Sequence, residues 1–152
     1  MTLVPVAVAL GSNLGDRGGT LDQAVTVLGT FLTDLRVSSY HDTEPVGVDP
    51  QPRFLNAAAT GLTALEPRAL LDRLLAIEVA YGRTRPAVGA PRTLDLDLIL
   101  YGDRILTEPG LLVPHPRFRE RRFVLAPLAE VAPDWRDPAS GLTVGELLRR
   151  LG

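Results

Sequence analysis

The chain opens on an unbroken apolar run, Val4-Pro5-Val6-Ala7-Val8-Ala9-Leu10, closed by the turn-forming Gly11-Ser12-Asn13-Leu14-Gly15-Asp16. A short run with that boundary is the pattern of a buried β-strand. Leu21, Ala24, Val25, Leu28 and Leu32 then recur at helical spacing behind a capping box of Thr20 and Gln23, which predicts a first amphipathic helix. Residues 36–41 read as a β-segment, 42–52 with Pro45, Gly47, Pro50 and Pro52 as a loop, and 54–62 as a strand despite its alanines. Pro67 suits a first helical position, and a stripe of Leu70, Leu71, Leu74, Leu75, Ile77 and Tyr81 runs from it to a stop at Gly82. After a Pro, Gly and Arg loop the period becomes two. Across 94–101 the leucines at 94, 96, 98 and 100 face the core, while Asp95 and Asp97 face away together. Gly102-Asp103 is expected to turn the chain into a hairpin partner at 104–107, residues 117–130 to be helical, and Thr143 with Glu146 to cap a short terminal helix. The order strand, helix, strand, strand, helix, strand is that of a split βαβ, or ferredoxin-like, α+β fold. Its antiparallel sheet is expected to carry helices on one face and leave the other open for an active site.

With 152 residues, 45% of them apolar and 22% charged, the chain fits a single domain over 1–152 with one core. No apolar run approaches the roughly 20 residues of a membrane-spanning helix. Met1 is followed at once by the strand-like opening run, with no basic stretch and no small-residue cleavage site, so no targeting peptide is expected and a cytoplasmic protein without a membrane partner is. Cysteine is absent, which removes thiol nucleophiles, disulfides and Cys-ligated metals together. All 16 cationic side chains are Arg and none is Lys, so lysine-dependent phosphate loops and Schiff-base chemistry are excluded. Phosphate binding must then rest on Arg and metal. His41 and His115 are too few for a three-His zinc site. A net charge of -2 gives no global basic field, against a general nucleic-acid binder. The arginines are nevertheless uneven: half of them fall within 83–122.

Asp95 and Asp97 are the sharpest chemical feature. On a strand their side chains lie about 7 Å apart on one face, able to converge on Mg²⁺ while substrate phosphates complete its coordination. A solvated acidic face is the competing reading. Arg83, Arg85 and Arg92 beside them favour the metal, because guanidinium is a permanently charged, bidentate phosphate clamp. In the run Arg117, Arg119, Arg121 and Arg122, the first, second and last read as the exposed side of a helix. His115, between Pro114 and Pro116, can address a nucleotide or serve as a structural residue. Phe54 and Asn56 share a strand face, a ring and an amide that suit a flat heterocycle as well as a plain core position. Gly11 to Gly15 lacks the lysine and spacing of a P-loop and reads as a strand-ending turn.

The segments Ala9-Leu10-Gly11-Ser12-Asn13-Leu14-Gly15-Asp16, Phe54-Leu55-Asn56-Ala57 and Gly82-Arg83-Thr84-Arg85 resemble, in order, those of a known family. So does Val113-Pro114-His115-Pro116-Arg117, and above all Pro91-Arg92-Thr93-Leu94-Asp95-Leu96-Asp97-Leu98-Ile99-Leu100-Tyr101-Gly102. The family is 6-hydroxymethyl-7,8-dihydropterin pyrophosphokinase of folate biosynthesis. The resemblance implies a ferredoxin-like enzyme that moves the β,γ-pyrophosphoryl group of ATP, its co-substrate, onto the pterin hydroxymethyl oxygen and releases AMP. It implies that Asp95 and Asp97 hold two Mg²⁺ ions and that Arg83 and Arg92 clamp the transferring group. By the same resemblance Arg85, Leu98, His115 and Arg121 surround ATP, and the pterin lies between Phe54 and Phe123. Its edge would be read by Asn56 and by backbone of Thr43 and Val46, with Glu44 lining the same loop. The implied partners are these small molecules, with no nucleic acid or membrane, and the enzyme is expected to act as a monomer.

The chain departs from the family pattern in several places. Val88-Gly89-Ala90 stands where Arg-Trp-Gly is usual, in a loop one residue shorter. Leu75, Gly110 and Leu112 replace polar or charged residues that often contact the nucleotide, and Pro116 stands where an aromatic is frequent. Two other readings compete: a two-metal nuclease or phosphatase, which would use the same aspartates without an aromatic sandwich, and a non-enzymatic ferredoxin-like regulatory or nucleic-acid module whose arginines merely bind anions.

Overall fold

Strand β1 (Val4–Ser12) is apolar on both of its faces because it lies inside the sheet. It pairs antiparallel with β4 (Phe54–Thr63) on one side and with β5 (Asp95–Tyr101) on the other. The computed structural model describes residues 2–13, 15–43, 53–82 and 94–152. In it β2 (Thr33–Val37) completes the order β2-β4-β1-β5, and β3 (His41–Thr43) pairs with the first residues of β4. With α1 (Arg17–Leu28) after β1 and α2 (Pro67–Ile77) after β4, this is the expected ferredoxin-like α+β arrangement. Among the described residues no helix is long and apolar enough to cross a membrane.

The sheet has a core on each side. Val6, Val8 and Leu10 meet Leu21, Ala24 and Leu28 of α1 and Leu70, Leu74 and Ile77 of α2. On the other side Ala7, Ala9 and Ala58 meet Phe118 and the apolar stripes of α3 (Arg122–Val131) and α4 (Val144–Arg150). The face expected to be open is therefore partly covered. The small alanines let α3 lie close to the strands, and only the end of the sheet beyond Ala9 and Ala58 is left as a cleft. The alternation along β5 also shifts once. Val8 lies opposite Leu98 but Ala7 opposite Leu100, so β5 carries one extra residue there, a β-bulge. Leu94, Leu96, Leu98 and Tyr101 consequently enter the first core, while Ile99 and Leu100 enter the second. Leu100 thus departs from the strict alternation read from the sequence, whereas Asp95 and Asp97 precede the bulge and keep a common face.

Several boundaries differ from the sequence reading. Helix α1 begins at Arg17, with the Asp16 carboxylate accepting the Gly19 N–H at 3.0 Å. The Thr20 hydroxyl donates to the Asp16 carbonyl at 2.9 Å and is no cap. The 36–41 segment resolves into the separate β2 and β3. Helix α2 ends at Ile77 and widens into a π-helical turn, Glu78–Gly82, which leaves Leu75 and Tyr81 exposed. The hairpin after β5 forms between β6 (Leu106–Glu108) and β7 (Leu111–Val113), and not with β5 itself. Gly110 turns it with φ +73°, a conformation glycine adopts without strain. A 3₁₀ turn, Phe118–Glu120, precedes α3, and the capping box of Thr143 and Glu146 opens α4 as expected.

The connection from α3 to α4 is organised by one carboxylate. Asp137 is fully buried and receives the Arg119 guanidinium through two nitrogens, Nη2 at 2.8 Å, together with the Ser140 hydroxyl at 2.6 Å and the Ala139 N–H at 3.0 Å. Burial pushes its pKa up, but the Arg119, Ser140 and Ala139 donors outweigh that and hold it at about 2. An unfolded aspartate titrates near about 3.9, so this group stabilises the fold at higher pH and loses its contribution as pH falls through both values, about 2–3 kcal/mol in all. Urea unfolding of the wild type and Asp137→Asn should give a stability gap that is constant above pH 5 and narrows by about that amount down to pH 2. A gap independent of pH would show that the carboxylate is not held in its charged form.

Candidate active site

The site is built from neighbouring positions on the uncovered end of the sheet. Gly11 on β1 lies opposite Asn56 on one side and Asp95 on the other, and Ala9 lies opposite Ala58 and Asp97. Directly paired residues of an antiparallel sheet share a face. The central strand thus places the Asn56 amide and the two carboxylates on one surface with only small residues between them. The space is needed: a Cβ on Gly11 would come within 3.0 Å of Asn56 Oδ1 and 3.8 Å of the Phe54 ring. Beyond Asn56, Thr43 on β3 is paired with Phe54, and Asn56 Nδ2 donates to Thr43 Oγ1 at 2.5 Å. This bond fixes a nearly buried amide against the strand that ends the described segment.

The N-terminus of α3 forms the opposite wall. A cavity of about 740 Å³ is enclosed between Thr43, Phe54, Asn56, Asp95 and Asp97 on the sheet and Arg117, Glu120, Arg121, Arg122 and Phe123 on the turn and helix. The Arg121 guanidinium lies over the Phe123 ring, 5.5 Å from its centre, a cation–π contact that joins the charged and aromatic parts of this wall. Arg117, Arg121 and Arg122 form no ion pair among the described residues, in contrast to Arg119, which is held by Asp137. Three cations are therefore kept available to an anionic ligand. Arg117 and Arg122 are exposed, as expected, and the reading of one exposed helix side is corrected at Arg119. Arg117 and Arg122 line the cavity, and Arg119 points into a buried pair.

His115 sits half-buried beside this cluster. Its N–H donates to the Ile99 carbonyl at 3.1 Å, and its Nδ1 accepts the Arg117 N–H at 3.2 Å. Burial pushes the imidazole pKa down; Asp97 pulls it back, and Arg121 and Arg117 lower it further. Glu78, in the π-helical turn, is a site feature that spacing did not reveal. Its buried carboxylate accepts the Leu96 N–H at 2.7 Å, on the backbone between the two aspartates. A lone acidic residue near the end of an amphipathic helix carries no signal of such a contact.

Of the residues singled out from sequence, Thr43, Phe54, Asn56, Asp95, Asp97, Arg121 and Phe123 line the one cavity, with His115 close to Asp97 and Arg121. The Leu98 side chain instead belongs to the first core, behind the sheet. Glu44, Val46, Arg83, Arg85, Arg92 and the stretch Val88-Gly89-Ala90 lie outside the described residues. Among those described, no group of three or more His, Cys, Asp or Glu could hold a metal. Two carboxylates on one strand face suit Mg²⁺, a hard cation that takes few protein oxygens and fills its octahedron with water and substrate phosphate.

Residues 7–133 match the family model described as 7,8-dihydro-6-hydroxymethylpterin-pyrophosphokinase (HPPK). The chain is 44% identical over 146 residues to the 2-amino-4-hydroxy-6-hydroxymethyldihydropteridine pyrophosphokinase of Synechocystis sp., covering 95% of this chain and 74% of that one. It is 48% identical over 126 residues to the protein of the same name from Bacillus subtilis, covering 82% and 75%. Among solved structures, wild-type Plasmodium falciparum HPPK-DHPS superposes with a TM-score of 0.80 at 12% identity, over 98% of this chain and 45% of that one. That likeness concerns the fold alone, and this chain spans less than half of the longer protein. Matched along most of its length by the family model and by relatives at this level of identity, the chain belongs to the 7,8-dihydro-6-hydroxymethylpterin-pyrophosphokinase family.

Proposed function

We propose that this cavity carries out the family's reaction, ATP-dependent transfer of pyrophosphate to the hydroxymethyl group of 6-hydroxymethyl-7,8-dihydropterin with release of AMP, a step of folate biosynthesis. The observation that carries the proposal is the juxtaposition, in one cavity, of two carboxylates, three arginines that form no ion pair among the described residues and a ring-and-amide pair facing a second ring. Such a site accepts a polyanion with its metal at one end and a flat heterocycle at the other.

Asp95 and Asp97 are the residues that would hold the metal, two Mg²⁺ ions in our reading. Bound there, Mg²⁺ neutralises phosphate charge and favours attack at phosphorus. Arg121, with Arg117 and Arg122 around it, faces the triphosphate, and His115 adds an imidazole beside it. The backbone next to Leu98 is what that residue has to offer ATP, since its side chain is in the core. Phe54 and Phe123 stack on the pterin. Asn56, braced by Thr43, reads its polar edge, and the Thr43 and Val46 backbone and Glu44 complete that end. Arg83, Arg85 and Arg92 belong to the segment that leads into β5, next to the aspartates in sequence, where they would clamp the transferring group. With the hydroxymethyl oxygen held in line with the bond from the β-phosphorus to the α-phosphate oxygen, the protein needs to supply position and charge and no covalent step. Every residue given a role lies in one chain, so a single domain over 1–152 acting as a cytoplasmic monomer suffices.

Incubated with ATP, Mg²⁺ and the hydroxymethyl-dihydropterin, the protein should accumulate AMP; formation of ADP, or of neither nucleotide, would overturn the proposal. Asp95→Asn and Asp97→Asn should each lower kcat by roughly a thousandfold or more, because the charge they hold acts on the transferring group. Phe54→Ala and Phe123→Ala should raise the pterin KM roughly ten- to a hundredfold, as expected for removing a ring from a stacked contact, with much less effect on ATP. A nuclease or phosphatase using the same aspartates would be indifferent to both rings.

A further inference from the structure

The buried ion pair between Arg119 and Asp137 contributes nothing to the cavity wall, yet it lies in the middle of the segment that builds it. The 3₁₀ turn Phe118–Glu120 is bracketed by Arg117 and Arg121, both on the cavity. Within the turn the Glu120 N–H donates to the Arg117 carbonyl at 3.0 Å and the Arg121 N–H to the Phe118 carbonyl at 3.3 Å. The Arg121 carbonyl in turn receives the Val124 and Leu125 N–H groups, which start α3. Displacement of the turn therefore moves Arg117 and Arg121 together. Two contacts hold it from behind: the Phe118 ring, wholly buried in the second core, and the Arg119 guanidinium, which lies 5.0 Å over that ring and ends on Asp137.

The geometry points to Arg119 and Asp137 as positioning residues for the nucleotide side of the site: through their pair the segment joining α3 to α4 sets where Arg117 and Arg121 stand. Asp137 is suited to this because its own position is over-determined. Besides Arg119 it receives the Ala139 N–H, the Ser140 N–H at 3.3 Å and the Ser140 hydroxyl, and the Asp137 N–H donates to the Leu142 carbonyl at 2.9 Å. A planar, bidentate guanidinium bound to such an anchor has one orientation, which a single-point ammonium would not have. Buried ion pairs are seldom the most stabilising occupants of a core, and orientation is the use that this arrangement serves. Asp137 also lies beyond residues 7–133, the part matched by the family model, so the anchor comes from outside that segment. Phe123 is held differently, on α3, whose Val124, Leu125 and Leu128 pack directly into the second core. Both ends of the site share the second core, through Phe118 and Phe123, but only the nucleotide side leans in addition on the Arg119–Asp137 pair.

The inference rests on ATP occupying the arginine side of the cavity, as proposed above, and its test reads binding independently of turnover. In calorimetric titrations with a non-hydrolysable ATP analogue and Mg²⁺, Asp137→Asn and Arg119→Lys should each raise the Kd roughly tenfold, the scale expected when a charged group is displaced by a fraction of an ångström to an ångström. In steady-state assays the KM for ATP should rise by a similar factor while the KM for the pterin stays within about twofold. Thermal melts report the structural cost of each change. Should Asp137→Asn fail to fold, Arg119→Lys, which keeps the charge and loses the bidentate geometry, decides alone. A folded variant with lowered Tm but unchanged nucleotide Kd, or equal rises in both KM values, would overturn the positioning role. Failure of the wild type to form AMP would instead overturn the proposed reaction, and the two failures are read in different experiments.

Discussion

The site depends on the register of β1 between its two neighbours. On β1, Gly11 and Ala9 stand between the amide of Asn56 and the carboxylates of Asp95 and Asp97, and their smallness leaves room for a ligand to reach both. A slip of one residue on either side would turn the polar group to the opposite face, because side chains alternate with a period of two. The slip is prevented by burial on both faces of the same strand. Val6, Val8 and Leu10 are committed to the α1 and α2 side, and Ala7 and Ala9 to the α3 and α4 side. The hydrophobic effect on these five residues, acting in two directions, is what holds the aspartates toward the cavity.

Charge is distributed around that frame according to the same division. In the run from Arg117 to Arg122 one guanidinium is consumed by a buried partner, while the others that face the cavity have no ion pair among the described residues. Grouped cations repel one another, and the arrangement gains from an anion between them. Asp95 and Asp97 lie across the cavity from these cations, and in the reading proposed above a divalent cation between them and the polyphosphate would reconcile the two sets of charges. The downward shift of the His115 pKa fits this balance, since Arg121 and Arg117 beside it disfavour another positive charge.

The parts legible in the sequence are those where local pattern and tertiary demand coincide. β1, α2, β5 and the capped α4 have runs or periods that admit one reading, and β4 survives its alanines because they meet α3 at close range. The second core was not legible, because the stripe of Val124, Leu125 and Leu128 declares a buried side without saying which face of the sheet receives it. The bulge in β5 escaped for a related reason: Ile99 and Leu100 are apolar whichever face they take, so the shift leaves no mark on composition. Spacing put the carboxylate pair on one strand face and the ring with its amide on another, but left a solvated acidic face and a plain core position open, and the arginines nearby and the family resemblance chose between them. The roles of Arg117, Arg119 and Arg122 were not, since an arginine takes its role from a partner that is distant in sequence, here Asp137 or the cavity.

The strand that bears the aspartates raises a last structural question, because in the order β2-β4-β1-β5 it is an edge strand. An edge leaves backbone donors without a ladder partner, and a buried donor so left is costly. Glu78 answers that requirement at the point where position matters most, accepting the Leu96 N–H between Asp95 and Asp97. The backbone of the acidic segment is thereby held from both sides, by β1 and by a carboxylate. That carboxylate is delivered by the π-helical widening of Glu78–Gly82, a local departure from α-geometry of the kind found where a helix must present a side chain off its regular face. The edge of the sheet is thus completed by a side chain delivered from the end of a helix, so that the position of the two aspartates rests on Glu78 as well as on the two apolar cores.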